Sequence, residues 1–179
     1  MKGNTDFYRM ASTFGLIMGL AIIIIELGFY LLEKRIYQPF AESLLLLIAI
    51  VAILSFATIK FRNIQGGYLS YFNTFRFGFT TIFFACIVCF AYSYVFTKID
   101  TEYSYRELER DNEYMLNAGF SESKIKEIME EKRKLIDYQL AHLAEILFIL
   151  YVWNLILGAI LCLISSAFLK KNKPIIDES

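Results

Sequence analysis

Four long runs of apolar residues alternate with polar segments along the chain. They cover approximately residues 10–32, 41–59, 75–96 and 143–169. About twenty apolar residues in an α-helix match the hydrocarbon core of a bilayer, which is about 30 Å thick. The pattern therefore predicts an all-α fold, a four-helix transmembrane bundle, in a single membrane domain over residues 1–179.

The polar segment between the third and fourth runs is long and charged. Residues 98–142 carry both signs of charge, with apolar residues recurring at three- and four-residue steps. Gly119 is suited to ending one helix and Ser121 to capping the next. We therefore expect an extramembrane amphipathic helical hairpin between spans three and four. Because no helix breaker follows Ser121 before Lys170, its second helix is expected to continue into span four as one long helix.

The first span contains one ionisable residue, Glu26. At about 100° per residue, Glu26 falls on the same helix face as Gly15 and Gly19. The Gly-x-x-x-Gly spacing lets two helix backbones approach closely, so this face is expected to pack against other helices. At the depth of Glu26 the reachable neutral donors are Tyr92 and Tyr151. These three residues form the candidate intramembrane polar site.

Two further features concern packing and the membrane interface. In span four, Asn154 and Gly158 share a face, and small or polar residues so spaced favour helix packing in lipid. At the entrance to span three, Arg76 and Tyr71 are suited to anchoring the chain at the interface or to contacting a lipid headgroup.

Composition supports a membrane protein. The chain is 57 % hydrophobic and 17 % aromatic, whereas soluble domains are roughly 45–50 % apolar. Its formal net charge is zero and no basic arm or face is evident, which argues against nucleic acid as a partner. The expected partners are the lipid bilayer and either a second copy or another membrane protein.

Candidate catalytic chemistry is sparse. Cys86, Cys89 and Cys162 all lie inside apolar runs, where free cysteines usually pack as small apolar residues. The single histidine, His142, is three residues from Glu145, but no nucleophile or phosphate loop accompanies the pair. We therefore expect no enzymatic activity, no cofactor and no metal site.

Four spans place both termini on one side of the membrane. The basic residues near the span ends are more numerous on that side than among the short segments opposite. The positive-inside rule therefore favours cytoplasmic termini.

Several loose motifs carry a resemblance over nearly the whole chain. They are GGYLSYFNTFRFGF at residues 66–79, the two glycines of the first span, Ile99-Asp100-x-Glu102-Tyr103, and AGFSESKI at residues 118–125. In these motifs and their order the chain resembles a bacterial family of small four-span membrane proteins known as domain of unknown function 4199. Membership would imply a multi-pass protein of the bacterial cytoplasmic (inner) membrane, and it brings no activity and no catalytic residues.

Two functions remain open. The first is a non-catalytic scaffold or accessory subunit that uses the 98–142 hairpin for partner or self-association, because an apolar stripe usually packs on another helix. The alternative is a small proton-coupled transporter or ion-conducting bundle with Glu26 as its titrating site, because intramembrane acids mark ion and substrate pathways. Small multidrug transporters share the four-span plan with an acid in the first span, but not the long third connection.

Overall fold

The computed structural model describes residues 2–31 and 39–171, and the side chains of 5–31 and 40–171. It confirms the all-α class. The described residues form six helices and no strand: α1 (Lys2–Leu31), α2 (Pro39–Ile64), α3 (Tyr71–Ile99), α4 (Tyr103–Asn117), α5 (Glu122–Ala141) and α6 (Leu143–Leu169).

Four of these helices are long and apolar enough to cross a membrane. The candidate spans are Thr5–Leu31, Phe40–Ile64, Tyr71–Ile99 and Leu143–Leu169. The first three extend beyond the predicted runs because flanking polar residues join the same helices, and residue 32 lies outside the described residues. The fourth span has the predicted bounds.

The central helix of the bundle is α3, which packs against α1 on one side and α6 on the other, while α2 packs mainly on α1. Glycine makes the α1–α3 contact close. A Cβ atom on Gly15 would lie 2.5 Å from Phe84 Cβ and 2.7 Å from the carbonyl oxygen of Thr81, and one on Gly19 would lie 2.9 Å from Val88 Cβ. The spacing of these glycines thus coincides with the tightest approach of two spans.

We call the end of the bundle where α2 ends and α3 begins the basic end, and the opposite end, where α3 ends and α6 begins, the hairpin end. About midway between the two ends, a buried cluster joins all four spans through Met18, Leu54, Ile82 and Cys162. Gly78 permits this approach, because a Cβ atom there would lie 3.1 Å from Cys162 Sγ and 3.3 Å from Leu54 Cδ1.

A clasp of hydrogen bonds fixes the end of α6 to the connection between α2 and α3. Leu69 and Lys171 exchange backbone hydrogen bonds of 2.8 and 2.9 Å. Arg62 Nη1 donates to the carbonyl oxygen of Leu169 at 3.1 Å, which satisfies one of the carbonyls left unpaired at a helix end. Among the described residues, the basic end is therefore held closed by packing and by backbone bonds.

Helices α4 and α5 form the hairpin and pack on each other. Gly119, with φ of +79°, ends α4, and Phe120 N–H donates back to the carbonyl oxygen of Met115 at 3.2 Å, as in a Schellman motif. Polar cross-links then join the helices: Tyr105 donates to Asp137, and Lys132 pairs with Asp111. The apolar stripe of α5 is partly covered by α4, and Ile125 is buried.

The prediction of one long helix from the hairpin into span four is wrong. Helix α5 ends at Ala141 and α6 begins at Leu143, because His142 has φ −113° and ψ 32°, outside the helical region. Neither Gly nor Pro marks this break. It separates the helix of the hairpin from the membrane span.

Candidate intramembrane binding site

A cavity of about 470 Å³ lies among the four spans on the hairpin side of their convergence. Its walls include Ile22 of α1, Leu46 of α2, Ala85 of α3 and Leu161 of α6. The cavity exists because α2 contacts α1 closely but touches α3 and α6 only sparsely. Its volume falls within the range of about 300–1,000 Å³ that is usual for small-molecule sites.

Three polar side chains line this otherwise apolar space: Glu26, Tyr151 and Asn154. Glu26 is half-buried and lies close enough to Cys89 and Tyr151 to interact electrostatically with both. The hydroxyl of Tyr151 shares a hydrogen bond of 2.8 Å with that of Ser93, which fixes the ring against α3. A carboxyl group, a phenol and a carboxamide are thus presented to one chamber within the membrane-spanning region.

The cavity has a lateral mouth between α2 and α6. Leu47 on one side and Leu157 and Ile160 on the other line the cavity, yet they are 50 %, 61 % and 49 % exposed. Contacts between α2 and α6 are sparse. In a bilayer this mouth would face acyl chains, so an apolar molecule could enter the chamber without crossing the aqueous phase.

A polar latch lies at the hairpin end, one helical turn beyond Glu26. Tyr30 donates a hydrogen bond of 2.7 Å to Asp100 Oδ2, and Arg106 of α4 pairs with the same oxygen. The Arg106 guanidinium and then the Tyr30 hydroxyl hold the pKa of the Asp100 carboxyl below its ordinary value. The latch connects the end of α1 to the base of the hairpin.

The residues expected to accompany Glu26 divide between two places. Tyr151 lines the cavity, whereas Tyr92 stacks on Phe96, with ring centroids 5.5 Å apart, and is not among the lining residues. The ring centroids of Phe96 and Tyr30 are 5.0 Å apart, so the rings of Tyr92 and Phe96 lie beside the latch.

The residues expected on helix-packing faces also lie in two different places. Gly15 and Gly19 lie at the α1–α3 contact, outside the cavity lining. Gly158 is buried and lines the cavity, and a Cβ atom there would lie 2.8 Å from Ile82 Cγ2. Asn154 is exposed and lines the cavity.

Arg76 and Tyr71 are remote from the cavity, at the basic end. The Arg76 guanidinium lies 5.8 Å from the ring centroids of both Phe7 and Phe72. Tyr71 donates to the carbonyl oxygen of Leu163 at 3.1 Å. Phe7 precedes Glu26 by nineteen residues of α1, which is about 28 Å at 1.5 Å per residue, so Arg76 and Glu26 are far apart.

Sequence reasoning missed several residues of the site and its surroundings. Cys86 and Cys89 line the cavity, and the Cys89 thiol lies 3.8 Å from the carbonyl oxygen of Gly19. Tyr30 follows Glu26 by four residues and so shares its face, a signal that could have identified it. Asp100 carried no such signal, because its role depends on a contact seventy residues away.

The site can bind by charge and hydrogen bonding. In the described part of the chain, no group of three His, Cys, Asp or Glu side chains is placed to hold a metal ion. What the chamber offers is an apolar wall for a hydrophobic body and one carboxyl group with two neutral partners for a polar or cationic centre.

Comparison with known proteins gives a family and no assigned activity. No curated protein and no solved structure matches the chain. Residues 13–171 match the family described as "Protein of unknown function (DUF4199)", a range that covers all four spans and the hairpin. The chain therefore belongs to this family of multi-pass membrane proteins, as its motifs had indicated.

Proposed function

We propose that the chain binds a lipophilic cation taken from the bilayer, and that it works as a small proton-coupled transporter with Glu26 as the exchanging group. The observation that carries the proposal is the meeting of a carboxyl group with a lipid-facing cavity. An ionisable residue inside a membrane is costly, so its position in a chamber of ligand size favours a binding role.

The chemistry of the chamber selects the ligand class. Glu26 would supply the counter-charge, while Tyr151 and Asn154 offer hydrogen bonds to a polar group beside the cationic centre. The apolar walls suit an aromatic or alkyl body, and the mouth between α2 and α6 suits a molecule already dissolved in lipid. A small hydrated ion would gain little from these walls, which favours a lipophilic cation over an ion-conducting pore.

Coupling to protons follows from a shared site. A proton and a cation cannot both occupy the charge of one carboxylate, so each would displace the other. The buried cluster of Met18, Leu54, Ile82 and Cys162 would keep the chamber closed towards the basic end while it is accessible from the hairpin side and from lipid. Release at the basic end would require the cluster of Leu54 and Cys162 to separate.

Equilibrium binding of tetraphenylphosphonium to the purified full chain tests this function. We expect saturable binding that weakens as the pH falls, and a loss on the order of a hundredfold in Glu26→Gln, since breaking a desolvated charge pair costs several kcal/mol. Glu26→Asp should retain part of the affinity. Glu145→Gln is the control, because Glu145 is an exposed acid outside the cavity. Equal binding by wild type and Glu26→Gln would refute the proposal.

Self-association through the hairpin is a second candidate function, which a groove between α4 and α5 favours. The groove has a volume of about 490 Å³, with Ile125 and Met129 in its walls. Its rim carries alternating charges: Glu122, Lys126, Glu130 and Arg133. An antiparallel second copy of α5 would therefore pair Lys126 with Glu130 and Glu122 with Arg133, about a two-fold axis.

This scaffold role has a distinct test. Cross-linking of the full chain in membranes should detect a dimer that Lys126→Glu weakens and that the double exchange Lys126→Glu with Glu130→Lys restores. A monomer in every case would exclude self-association through this face and leave the cavity proposal untouched.

We also propose a non-catalytic role, in the bacterial inner membrane, with the basic end towards the cytoplasm. The orientation is supported by the positive-inside rule, since Lys60, Arg62 and Lys171 all lie at the basic end. In intact cells, Gln65→Cys and Ser123→Cys should label from opposite sides of the membrane, with Ser123→Cys reacting from outside.

A further inference from the structure

The basic end carries a set of basic side chains among the described residues. The described cations of this end are Arg9, Lys60, Arg62, Arg76, Lys170 and Lys171. None of them takes part in the ion pairs found among residues 5–31 and 40–171, which lie at the hairpin end. Such a set has charge available for an external anion.

Aromatic rings hold three of these cations at the edge of the spans. Lys60 Nζ lies 5.6 Å from the ring centroid of Phe14, and Lys171 Nζ lies 5.7 Å from that of Tyr68. The Arg76 guanidinium lies 5.8 Å from the ring centroids of both Phe7 and Phe72. A ring that contacts the cation restricts the side chain while the charged group remains outside the apolar layer.

Backbone hydrogen bonds hold Lys171, one of these three cations, at the connection between α2 and α3. Because Leu69 and Lys171 exchange backbone hydrogen bonds, Lys171 is held beside Tyr68. Arg62 differs from the other cations, since it donates to the carbonyl oxygen of Leu169 and has a structural role. We use the name cationic collar for Lys60, Arg76 and Lys171.

We propose that the cationic collar binds the phosphate groups of anionic phospholipids in the leaflet at the basic end. The collar residues lie in the last turn or so of α2, near the start of α3 and just after α6, where the spans meet the headgroup layer. A lipid phosphate is the anion at that depth, and its acyl chains can lie against the exposed apolar surface of the spans. The proposal is independent of the cavity and its ligand.

Lipid binding to the full chain in detergent tests the collar, with phosphatidylglycerol and phosphatidylcholine added in parallel. Near a membrane surface each cation contributes about fivefold to the affinity for anionic lipid. We therefore expect the preference for phosphatidylglycerol to fall roughly a hundredfold in the triple variant Lys60→Gln, Arg76→Gln, Lys171→Gln. It should also fall with rising salt.

Two matched variants separate lipid binding from a change in folding. The charge-preserving triple Lys60→Arg, Arg76→Lys, Lys171→Arg should keep the preference, because phosphate attraction needs the charge. A control triple at the hairpin end, Lys98→Gln, Lys124→Gln and Lys134→Gln, should also keep it. Full preference in the Gln collar triple, or equal loss in the hairpin control, would overturn the proposal.

Competition distinguishes a lipid site from a site for another anion. Inorganic phosphate at millimolar concentration should leave phosphatidylglycerol bound, because it lacks acyl chains. Complete displacement by inorganic phosphate would overturn the assignment to lipid in favour of a soluble anion. Tighter binding of single-stranded DNA than of phosphatidylglycerol would overturn it in favour of a nucleic acid.

Discussion

Gly15 and Gly19 set the distance between the two helices that pack most closely. Their lack of a side chain lets the backbone of α1 approach Phe84, Val88 and the carbonyl oxygen of Thr81. Gly28, on the same helix, has no atom within 4 Å of the position that a Cβ would occupy. Glycines of one helix therefore differ sharply in what they contribute.

This difference predicts opposite effects of one substitution. Gly15→Ala should destabilise the bundle by about 1–3 kcal/mol through overpacking, because α1 or α3 has to shift. Gly28→Ala should be neutral or stabilising by up to about 1 kcal/mol, since alanine favours a helix over glycine. Thermal unfolding in detergent measures both. An equal effect of the two substitutions would mean that α1 and α3 do not approach as described.

Asp100 makes the stability of the latch depend on pH. The Arg106 guanidinium, and next the Tyr30 hydroxyl, lower its pKa in the folded protein from an unfolded value of about 3.9. A lowered pKa contributes stability that is complete above the unfolded pKa and is lost as the pH falls through the folded pKa.

The predicted signature is a pH-dependent difference between wild type and Asp100→Asn. Wild type should unfold at the higher temperature above pH 5, and the gap should narrow as the pH falls below about 3.9, because Asp100 then binds a proton more readily in the unfolded than in the folded chain. Glu109→Gln, on an exposed side chain of α4, is the control and should behave like wild type. A gap that is constant from pH 7 to pH 3 would be inconsistent with a charged Asp100 in the latch.

The contacts of single residues differ in how well the sequence could predict them. The face shared by Gly15, Gly19 and Glu26 follows from helix geometry alone, as it is a local property. The pairing of Tyr30 with Asp100 joins positions far apart in the chain, and neither apolar periodicity nor spacing encodes such a contact.

At the scale of helices, the divergence of α2 from α6 creates the mouth of the cavity. The two helices meet about midway along the bundle through Leu54 and Cys162 and separate towards the hairpin end. The hydropathy that predicted each span contains no information on the angle between spans. For this reason the spans could be predicted and the cavity could not.

Blocking the mouth should reduce ligand entry without disturbing the fold. Leu47 lines the cavity and is half-exposed. Leu47→Trp should therefore narrow the opening and lower the association rate of tetraphenylphosphonium by roughly tenfold, which corresponds to about 1.4 kcal/mol in the barrier to entry. Leu44 is similarly exposed but does not line the cavity, so Leu44→Trp is the control. Identical rates in both variants would place the entrance elsewhere.

In the hairpin, too, the sequence could predict one feature of the helices and not another. Gly119 ended a helix as predicted, because its positive φ is a local requirement. The break at His142 was not predicted, since an ordinary residue adopts a non-helical conformation there. The partial cover of α5 by α4 also accounts for much of the apolar stripe that suggested a protein partner.

The whole molecule combines a closed basic end, an open chamber and a hairpin fastened to α1. Charge is distributed accordingly, since the ion pairs found among residues 5–31 and 40–171 lie at the hairpin end and involve none of the described cations of the basic end. In this arrangement the Glu26 carboxyl lies in a cavity that opens laterally beside Leu47 and Leu157. The all-α class, the four spans and the family could be predicted from sequence, whereas the asymmetry between the two ends is a property of the assembled bundle.

Alkylation of the native cysteines tests the lipid-accessible acidic chamber most directly. Cys86 lines the cavity and is partly exposed, whereas Cys162 is 1 % exposed and lies outside the lining. With a membrane-permeable maleimide, Cys86 should react faster than Cys162, tetraphenylphosphonium should slow the reaction of Cys86, and Glu26→Gln should abolish that protection. Protection of the same size in Glu26→Gln, or a Cys86 that reacts no faster than Cys162, would contradict a cation site at Glu26.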